Sequence, residues 1–415
     1  MQGGPGKFVY VILIILLLID IYAFSGIRHL TENWSNLLKL VFSIIYWIIP
    51  MFIVIMTFYI MLKMPEMSSG KIYYRTFYTF MGVMILFYVP KLIFCAFELG
   101  NDIVNSMAFL INKFNSSLQL PNIQAFRYAG AITSILLFLF TIYGIIYGRY
   151  HYKTNNIELG FSNLPESFNG LKIAHISDWH IGSYFGKPKR IVEAVNRINS
   201  LKPDLILFTG DLVNNVASEV DEFIPALKKL HAKYGKYSIL GNHDYGEYVR
   251  WESESEIVSN LNSLIKKHKE IGFNILLNET VNIEIEGQSI GLIGIENWGL
   301  PPFPQYGDLK KALSDIPQMP FRILLSHDPS HWDAEVKQKT NIDLTLSGHT
   351  HGMQFGIYSK KMKWSPVKYK YPKWAGLYSE GNQHLFVSVG IGYIGFPGRV
   401  GIKPEIALLK LFKKN

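Results

Sequence analysis

Five short polar motifs combine the residue types that bind divalent cations. Each motif carries Asp, Asn or His, which offer oxygen and imidazole ligands, and the single cysteine, Cys95, excludes a CxxC site. Such sets suit manganese, iron or zinc, whereas an all-oxygen set would suit magnesium or calcium. A paired metal site is the natural inference. The motifs are Asp178-Trp179-His180, Gly210-Asp211, Gly241-Asn242-His243-Asp244, Ser326-His327-Asp328 and Gly348-His349-Thr350-His351.

The runs before these motifs have the composition of buried β-strands. LKIAHIS, DLILFTG and KYSILG alternate with helical patterns at 188–200, 217–232 and 254–270, and the chain after Phe273 becomes strand-dense. This order predicts an α/β domain in which a sheet-on-sheet core is flanked by helices. Because open α/β sheets place ligand sites at the carboxyl ends of their strands, the motifs are expected to meet there.

Each motif taken alone has an ordinary structural explanation. Gly-Asn is a turn signal, Gly-Asp can follow a strand, and an isolated His is more often structural than functional. The motifs together favour function, since the glycines beside them permit sharp turns that aim several side chains at one point.

The ordered set D-x-H, G-D, G-N-H-D, S-H and G-H-T-H resembles the calcineurin-like metallophosphoesterase superfamily, over about residues 170–411. The resemblance implies a four-layer αββα sandwich and hydrolysis of phosphoric esters. GHTHG followed by WAGLY, Val389-Gly390-Ile391-Gly392, Pro397 and KPEI resembles a membrane-associated bacterial subgroup. Met353 stands where many members have glycine, which bears on the shape of that loop.

The resemblance also implies a ligand set for two divalent ions, manganese, iron or zinc. Asp211 would bridge the two ions, and a water that they share would supply the hydroxide that attacks phosphorus. By the same resemblance, Asp178, His180 and His351 hold one metal, and Asn242, His327 and His349 hold the other.

Three further residues receive roles in substrate turnover. The resemblance makes His243 the general acid for the leaving alkoxide or a clamp on a phosphoryl oxygen, and Asp244 would orient it. Alternatively, His243 only packs beside Asn242. Arg399 is a candidate for substrate phosphate binding, with a structural ion pair as the alternative.

The segment from Lys360 to Trp374 interleaves lysines with aromatic residues directly after the GHTHG motif. This composition is typical of the lipid headgroup zone, although an ordinary solvated hairpin would also explain it. The residues concerned are Lys360, Lys361, Lys363, Lys368, Lys370, Lys373, Trp364, Tyr369, Tyr371 and Trp374.

The amino-terminal part of the chain has the composition of a membrane domain. Residues 1–150 contain 15 charged side chains, whereas residues 151–415 contain 58. Apolar stretches at about 8–27, 38–62, 76–97 and 128–148 are each near the roughly 20 residues that cross a bilayer. We therefore predict a four-span transmembrane domain (1–150), a linker (151–169) and a phosphoesterase domain (170–415).

Positive charges at the ends of the spans weakly favour a cytoplasmic catalytic domain in a multi-pass cell-membrane protein. The net charge of +9 is spread over both parts of the chain, which argues against nucleic acid as a partner. With the amino terminus inside, the inner flanks carry Lys7, Lys63, Lys71, Arg75, Arg149 and Lys153, and the outer flanks carry Arg28, Lys39, Lys113 and Arg127.

Two charges lie at similar depth inside predicted spans, Asp20 in the first and Lys91 in the third. Ionisable groups there are costly and usually pair, so an ion pair between neighbouring helices is expected. The alternative is that Lys91 extends separately to the membrane surface near Glu98 and Asp102.

These features predict a membrane-anchored two-metal hydrolase that acts on a phosphate ester or anhydride, with a lipid-linked or nucleotide-linked substrate preferred. Its partners would be membrane lipids and this phosphorylated substrate. One alternative is a tethered phosphodiesterase for soluble nucleotides. The other is a catalytically silent membrane sensor or scaffold.

Overall fold

The computed structural model describes residues 5–67, 71–115, 118, 120–184, 186–314, 319–359 and 361–414. They form two compact units. The first unit consists of helices, and the second combines two six-stranded sheets with flanking helices.

The helical unit contains four helices that are long and apolar enough to cross a membrane, which confirms the predicted number of spans. They are α1 (Pro5–Leu30), α2 (Asn36–Met67), α3 (Lys71–Phe114) and α4 (Ala125–Ile146). The α3 helix continues well beyond the predicted end at residue 97, because hydropathy reports only the segment suited to hydrocarbon, whereas a helix needs only its backbone hydrogen bonds. Pro90 lies inside α3 and does not end it.

The expected pair between Asp20 and Lys91 is confirmed. The Lys91 ammonium donates to one carboxylate oxygen of Asp20, and the Tyr88 hydroxyl donates to the other at 2.8 Å. Tyr46 donates to the Asp20 carbonyl at 2.7 Å, and Asp20 is 1% exposed. Helices α1, α2 and α3 are thus joined through one polar cluster in an apolar setting.

A second buried ion pair, between Glu98 of α3 and Arg127 of α4, escaped the sequence analysis. Arg127 Nε lies 3.0 and 2.8 Å from the two carboxylate oxygens of Glu98. Asp102 is 3.9 Å from the same guanidinium and accepts a hydrogen bond from Tyr22 at 2.8 Å. Arg127 counts as a flank residue in the sequence because the predicted fourth span begins at residue 128, whereas α4 begins at Ala125.

The second unit alternates strands and helices along most of its length. Its elements are β1 (Lys153–Phe161), β2 (Lys172–Ile176), α5 (Pro188–Ser200), β3 (Leu205–Phe208), α6 (Ile224–Leu227), β4 (Lys236–Ser238), α7 (Glu254–Ile271), β5 (Asn274–Ile275), β6 (Glu279–Ile285), β7 (Gln288–Gly294), α8 (Leu309–Leu313), β8 (Arg322–Leu325), β9 (Leu344–Ser347), β10 (Ile357–Tyr358), β11 (Lys363–Trp364), β12 (Gly376–Glu380), β13 (Gln383–Val387) and β14 (Glu405–Lys413).

Two sheets form the interior of this unit, as the expected αββα sandwich requires. One has the order β1-β14-β2-β3-β4-β5, and the other has the order β12-β13-β9-β8-β7-β6. Ile173 and Leu207 of the first sheet and Ile323 and Leu346 of the second belong to one buried apolar cluster between the sheets. Helices α5, α6 and α7 cover the outer face of the first sheet, and α8 packs on the second.

Strand β1 corrects the interpretation of residues 151–169 as a linker. It pairs in parallel with β14 along its whole length, from Lys153 opposite Glu405 to Phe161 opposite Lys413. Leu159 and Phe161 are buried, while most of the strand is polar and half-exposed. An edge strand of this composition resembles a linker in sequence, because only its last residues enter the core.

The membrane ion pair leads to a prediction about stability. Asp20→Asn and Lys91→Met should each lower the thermal midpoint of the full chain in detergent, because each leaves a buried polar partner unmatched. The double variant should recover much of the loss, as measured by a double-mutant cycle. Lys113→Met, at an exposed position on α3, is the control. Strictly additive losses would show that the two side chains do not stabilise each other.

Candidate metal centre

The seven candidate ligands converge at the carboxyl ends of strands from both sheets. Each follows its strand within five residues, on the sharp loops that the motifs predicted. Asp178 and His180 follow β2, Asp211 follows β3, Asn242 follows β4, His327 follows β8, and His349 and His351 follow β9.

Five of these residues have left-handed backbone conformations, with φ between +47° and +70°. This conformation costs roughly 1–3 kcal/mol for a non-glycine residue and persists only where the surrounding structure imposes it. The adjacent glycines allow the backbone of one loop to lie close to the ligand side chains of another. A Cβ on Gly348 would lie 2.2 Å from Asp178 Oδ2, and one on Gly241 would lie 2.3 Å from Asp211 Oδ1. The five residues are Asp178, His180, Asp211, His349 and His351.

One group of ligand atoms is formed by Asp178, His180 and His351. The Nε2 atoms of the two histidines are 3.0 Å apart, and His351 Nε2 is 3.3 Å from Asp178 Oδ1. All three residues are buried, and their ligand atoms lie within 4.8 Å of one another. Two imidazole nitrogens and a carboxylate at this spacing match the donors of a divalent ion.

A second group surrounds His327. Its Nε2 lies 3.3 Å from His349 Nδ1, which is also 2.9 Å from the amide oxygen of Asn242. Asp178, Asp211 and His327 likewise bring ligand atoms within 4.8 Å of one another. Asp211 lies between the two groups, because its Oδ2 is 3.4 Å from His180 Nε2 and 3.3 Å from His327 Nε2.

Backbone carbonyls orient two of the histidines. His180 Nδ1 lies 3.1 Å from the Val213 carbonyl, and His327 Nδ1 lies 2.7 Å from the Thr209 carbonyl. A carbonyl can only accept, so each Nδ1 carries a hydrogen, and in the neutral form of each ring Nε2 presents its lone pair to the centre. Lone pairs that face one another at about 3 Å repel unless a cation or a proton lies between them. The donor set therefore fits divalent metal ions.

Burial and charge set the protonation of this centre. Burial would raise the pKa of Asp211, but the neighbouring His327 and His243 hold it well below its usual range. Burial, together with His180 and Arg399, places the pKa of His351 well below the ordinary histidine value. An ionised carboxylate and a neutral imidazole are the forms that bind metal.

Tyr371 supports His349 from outside the ligand set. Its hydroxyl lies 2.9 Å from His349 Nε2 and 3.4 Å from Asp328 Oδ2, and its side chain is buried. Because His349 Nδ1 faces the other ligands, Nε2 is the atom that an outer partner can hold. In sequence, Tyr371 belongs to the segment with the composition of an interfacial loop, and its spacing does not reveal this contact.

His243 is fixed by a carbonyl rather than by the predicted Asp244. His243 Nδ1 lies 2.7 Å from the Asn214 carbonyl, and its ring packs against Tyr248 with centroids 4.5 Å apart. Burial lowers the pKa of His243 to about 4, so the ring of the free protein is neutral at pH 7. Glu219 accepts from the backbone N–H of Asn214 at 2.6 Å and fixes the loop that carries this carbonyl.

Asp244, expected to orient His243, directs its carboxylate to backbone amides instead. It accepts from the N–H groups of Gly241, Asp211 and Leu212 at 2.8–2.9 Å and of Val213 at 3.2 Å. Asp244 therefore ties the loop after β3 to the loop after β4, and with them the main chain of Asp211.

Arg399, a candidate for substrate phosphate binding with a structural role as the alternative, has structural contacts. The side chain is 2% exposed, and its guanidinium donates to the carbonyls of Val389 at 2.7 Å, Gly390 at 3.1 Å and Gly392 at 2.9 Å. The Nη2 atom lies 3.2 Å from His351 Nδ1. Arg399 thus secures the glycine-rich loop against His351 and retains no exposed face for a substrate.

The basic and aromatic segment divides into buried and exposed parts. Trp374 is buried, and Lys373 pairs with Asp333. In contrast, Lys361, Lys368 and Lys370 are exposed, and Tyr369 is 78% exposed. Lys360, the first residue of the predicted segment, lies outside the described residues.

Comparison with known proteins places both units in described families. Residues 171–353 match the family described as calcineurin-like phosphoesterase. Residues 6–149 match the family described as probable calcineurin-like phosphoesterase, transmembrane domain.

Three relatives illustrate the range of similarity. The uncharacterized metallophosphoesterase YkuE of Bacillus subtilis is 32% identical over 268 residues, which cover 63% of this chain and 86% of YkuE. An uncharacterized metallophosphoesterase of Campylobacter jejuni is 26% identical over 414 residues, 98% of this chain and 99% of its own. The UDP-2,3-diacylglucosamine pyrophosphatase LpxG of Chlamydia trachomatis is 30% identical over 237 residues, 47% of this chain and 68% of LpxG.

The contact of Tyr371 with His349 predicts a measurable change in metal affinity. Tyr371→Phe should weaken manganese or zinc binding by about 10- to 100-fold, because loss of an outer partner costs this much in other metal sites. The measurement is titration of metal into the metal-free full chain. Tyr369→Phe removes the same hydroxyl from an exposed ring and should bind metal like the wild type. Equal affinities for all three proteins would contradict the role of Tyr371.

Proposed function

The chain belongs to the calcineurin-like phosphoesterase family, and we propose that it uses two divalent cations to hydrolyse a phosphate ester or anhydride of a lipid-linked substrate at the membrane surface. Its four apolar helices and its family make it a multi-pass membrane protein and a metal-dependent phosphoric ester hydrolase.

The position of Asp211 carries the proposal of two metals. Its Oδ2 is within 3.4 Å of one histidine from each ligand group, and a carboxylate so placed can bind an ion on either side. In the proposed assignment, Asp211 is shared by both ions. Asp178, His180 and His351 complete one set, and Asn242, His327 and His349 complete the other.

Two bound cations would supply a hydroxide nucleophile at neutral pH and would polarise the phosphoryl oxygens. His243 is proposed to protonate the leaving oxygen. Its Nδ1 is held by the Asn214 carbonyl, so Nε2 is the atom available for a proton. Because the free ring is neutral at pH 7, proton uptake would have to accompany binding of the anionic phosphate.

A lipid-linked substrate is favoured by the surroundings of the centre and by one relative. The segment that supplies Tyr371 to the centre also carries the exposed Lys368, Tyr369 and Lys370. Lysines attract anionic headgroups, and aromatic rings favour the membrane interface. LpxG is named for a substrate that joins a nucleotide and a diacyl sugar through a pyrophosphate. A substrate of this kind would be both lipid-linked and nucleotide-linked, the two classes predicted from the sequence.

We further propose that the catalytic unit lies on the cytoplasmic side. The support is the excess of Lys and Arg at the flanks that share a side with the end of the fourth span, under the positive-inside rule.

The proposed proton donor can be tested by varying the leaving group. His243→Ala should retain bound metal yet lose roughly 10²–10⁴ in rate on alkyl phosphodiesters, whose leaving alkoxide needs a proton. The loss should be smaller on nitrophenyl esters, whose leaving group departs as a stable anion. Equal losses on both substrates would reject His243 as the general acid.

The class of substrate can be tested by removing the exposed lysines. Lys361→Gln, Lys368→Gln and Lys370→Gln combined should weaken turnover of a bilayer-embedded lipid pyrophosphate, since each lysine contributes about 1 kcal/mol near an anionic surface. Turnover of a soluble nitrophenyl ester should stay nearly unchanged.

The matched control for that experiment lies at the opposite edge of the sheet. Lys229→Gln with Lys233→Gln removes exposed charges before the amino end of β4, whereas the centre lies at the carboxyl ends. The control should preserve both activities. Equal turnover of soluble nucleotide esters and embedded esters by the wild type would instead favour a tethered phosphodiesterase for soluble substrates.

A further inference from the structure

The helical unit contains a cavity of about 720 Å³ between the end of α1 and the beginning of α2. The 26 residues of α1 rise about 39 Å, which exceeds the roughly 30 Å hydrocarbon core, so the last turns of the helix reach the headgroup zone. The cavity is lined by residues of these turns and of the first turns of α2.

The rim of the cavity is basic. Arg28, His29 and Lys39 line it, and within the part of the chain that the structure describes neither Arg28 nor Lys39 has an ion-pair partner. Lys91 and Arg127 of the same unit, in contrast, are each paired with a buried carboxylate. The rim cations therefore remain available to an external anion.

The inner wall of the cavity is aromatic and apolar. Phe24 packs on Trp47 with ring centroids 5.6 Å apart, and Phe42 and Leu40 also line the cavity. Small hydroxyl groups interrupt it, but Ser43 donates to the Lys39 carbonyl and Thr31 to the Ile27 carbonyl. A ligand with a charged end and an apolar body matches both the rim and the wall.

From this arrangement we infer that the cavity binds one phospholipid, with its phosphate between Arg28 and Lys39 and its glycerol and upper acyl carbons against Phe24 and Trp47. Glu32, the carboxylate on the rim, keeps the local positive charge low, which fits the single phosphodiester of a phospholipid better than a highly charged diphosphate. This inference does not depend on the substrate of the catalytic unit.

The test titrates lipid into the delipidated full chain in detergent and counts bound lipid by native mass spectrometry. Dioleoyl phosphatidylglycerol and dioleoyl phosphatidylethanolamine should each bind at one per chain. Arg28→Gln and Lys39→Gln should each weaken binding about fivefold, as expected for one cation near an anionic lipid. Both positions lack ion-pair partners among the described residues, so the variants should fold normally, which thermal unfolding checks.

Two controls distinguish lipid binding at this site from non-specific binding of lipid to the protein. Lys113→Gln removes an exposed lysine at the end of α3 and should leave binding unchanged. Dioleoylglycerol, which lacks a phosphate, should not bind, and inorganic phosphate should not displace the lipid. An equal loss in Lys113→Gln, equal binding of dioleoylglycerol, displacement by free phosphate, or full affinity in both rim variants would each overturn the inference.

Discussion

The phosphoesterase unit depends on the close approach of buried ligand atoms from several loops. Imidazole nitrogens and carboxylate and amide oxygens of five loops meet at 2.9–3.4 Å, and the Nδ1 protons of His180 and His327 point away towards carbonyls. Such an arrangement is favourable in a buried setting only when cations or protons lie between the ligand atoms. Metal binding, fold stability and chemistry are therefore linked in this protein.

Much of the surrounding structure serves to hold these loops together. Asp244 gathers four backbone amides from two loops, and Arg399 gathers the carbonyls of the glycine-rich loop beside His351. Both are buried charged groups that would be costly without such partners. Their contacts help to hold the left-handed conformations of Asp211 and His351.

The sequence sufficed for those features that local patterns encode. Strand composition predicted an α/β domain with polar motifs at its strand ends, the family resemblance implied the two-sheet sandwich and the seven residues that meet in the structure, and hydropathy predicted four spans. The sequence did not predict those roles that depend on the direction of a side chain. Asp244 and His243 are adjacent in sequence, yet their polar groups contact different loops. Tyr371 lies 20 residues beyond His351, and no spacing rule links it to His349. Strand β1 and the Glu98–Arg127 pair were missed because composition does not identify partners distant in sequence.

The proposed two-metal chemistry requires Asp211 as the ligand shared by both ions. The most direct measurement is metal content per chain, by elemental analysis of the manganese-loaded full protein, for the wild type, Asp211→Ala and the exposed control His231→Gln. We predict two ions for the wild type and the control, and fewer than one for Asp211→Ala with loss of turnover, because one substitution removes a ligand from both sites. A single ion in the wild type, or two ions retained by Asp211→Ala, would contradict Asp211 as the ligand shared by two metal ions.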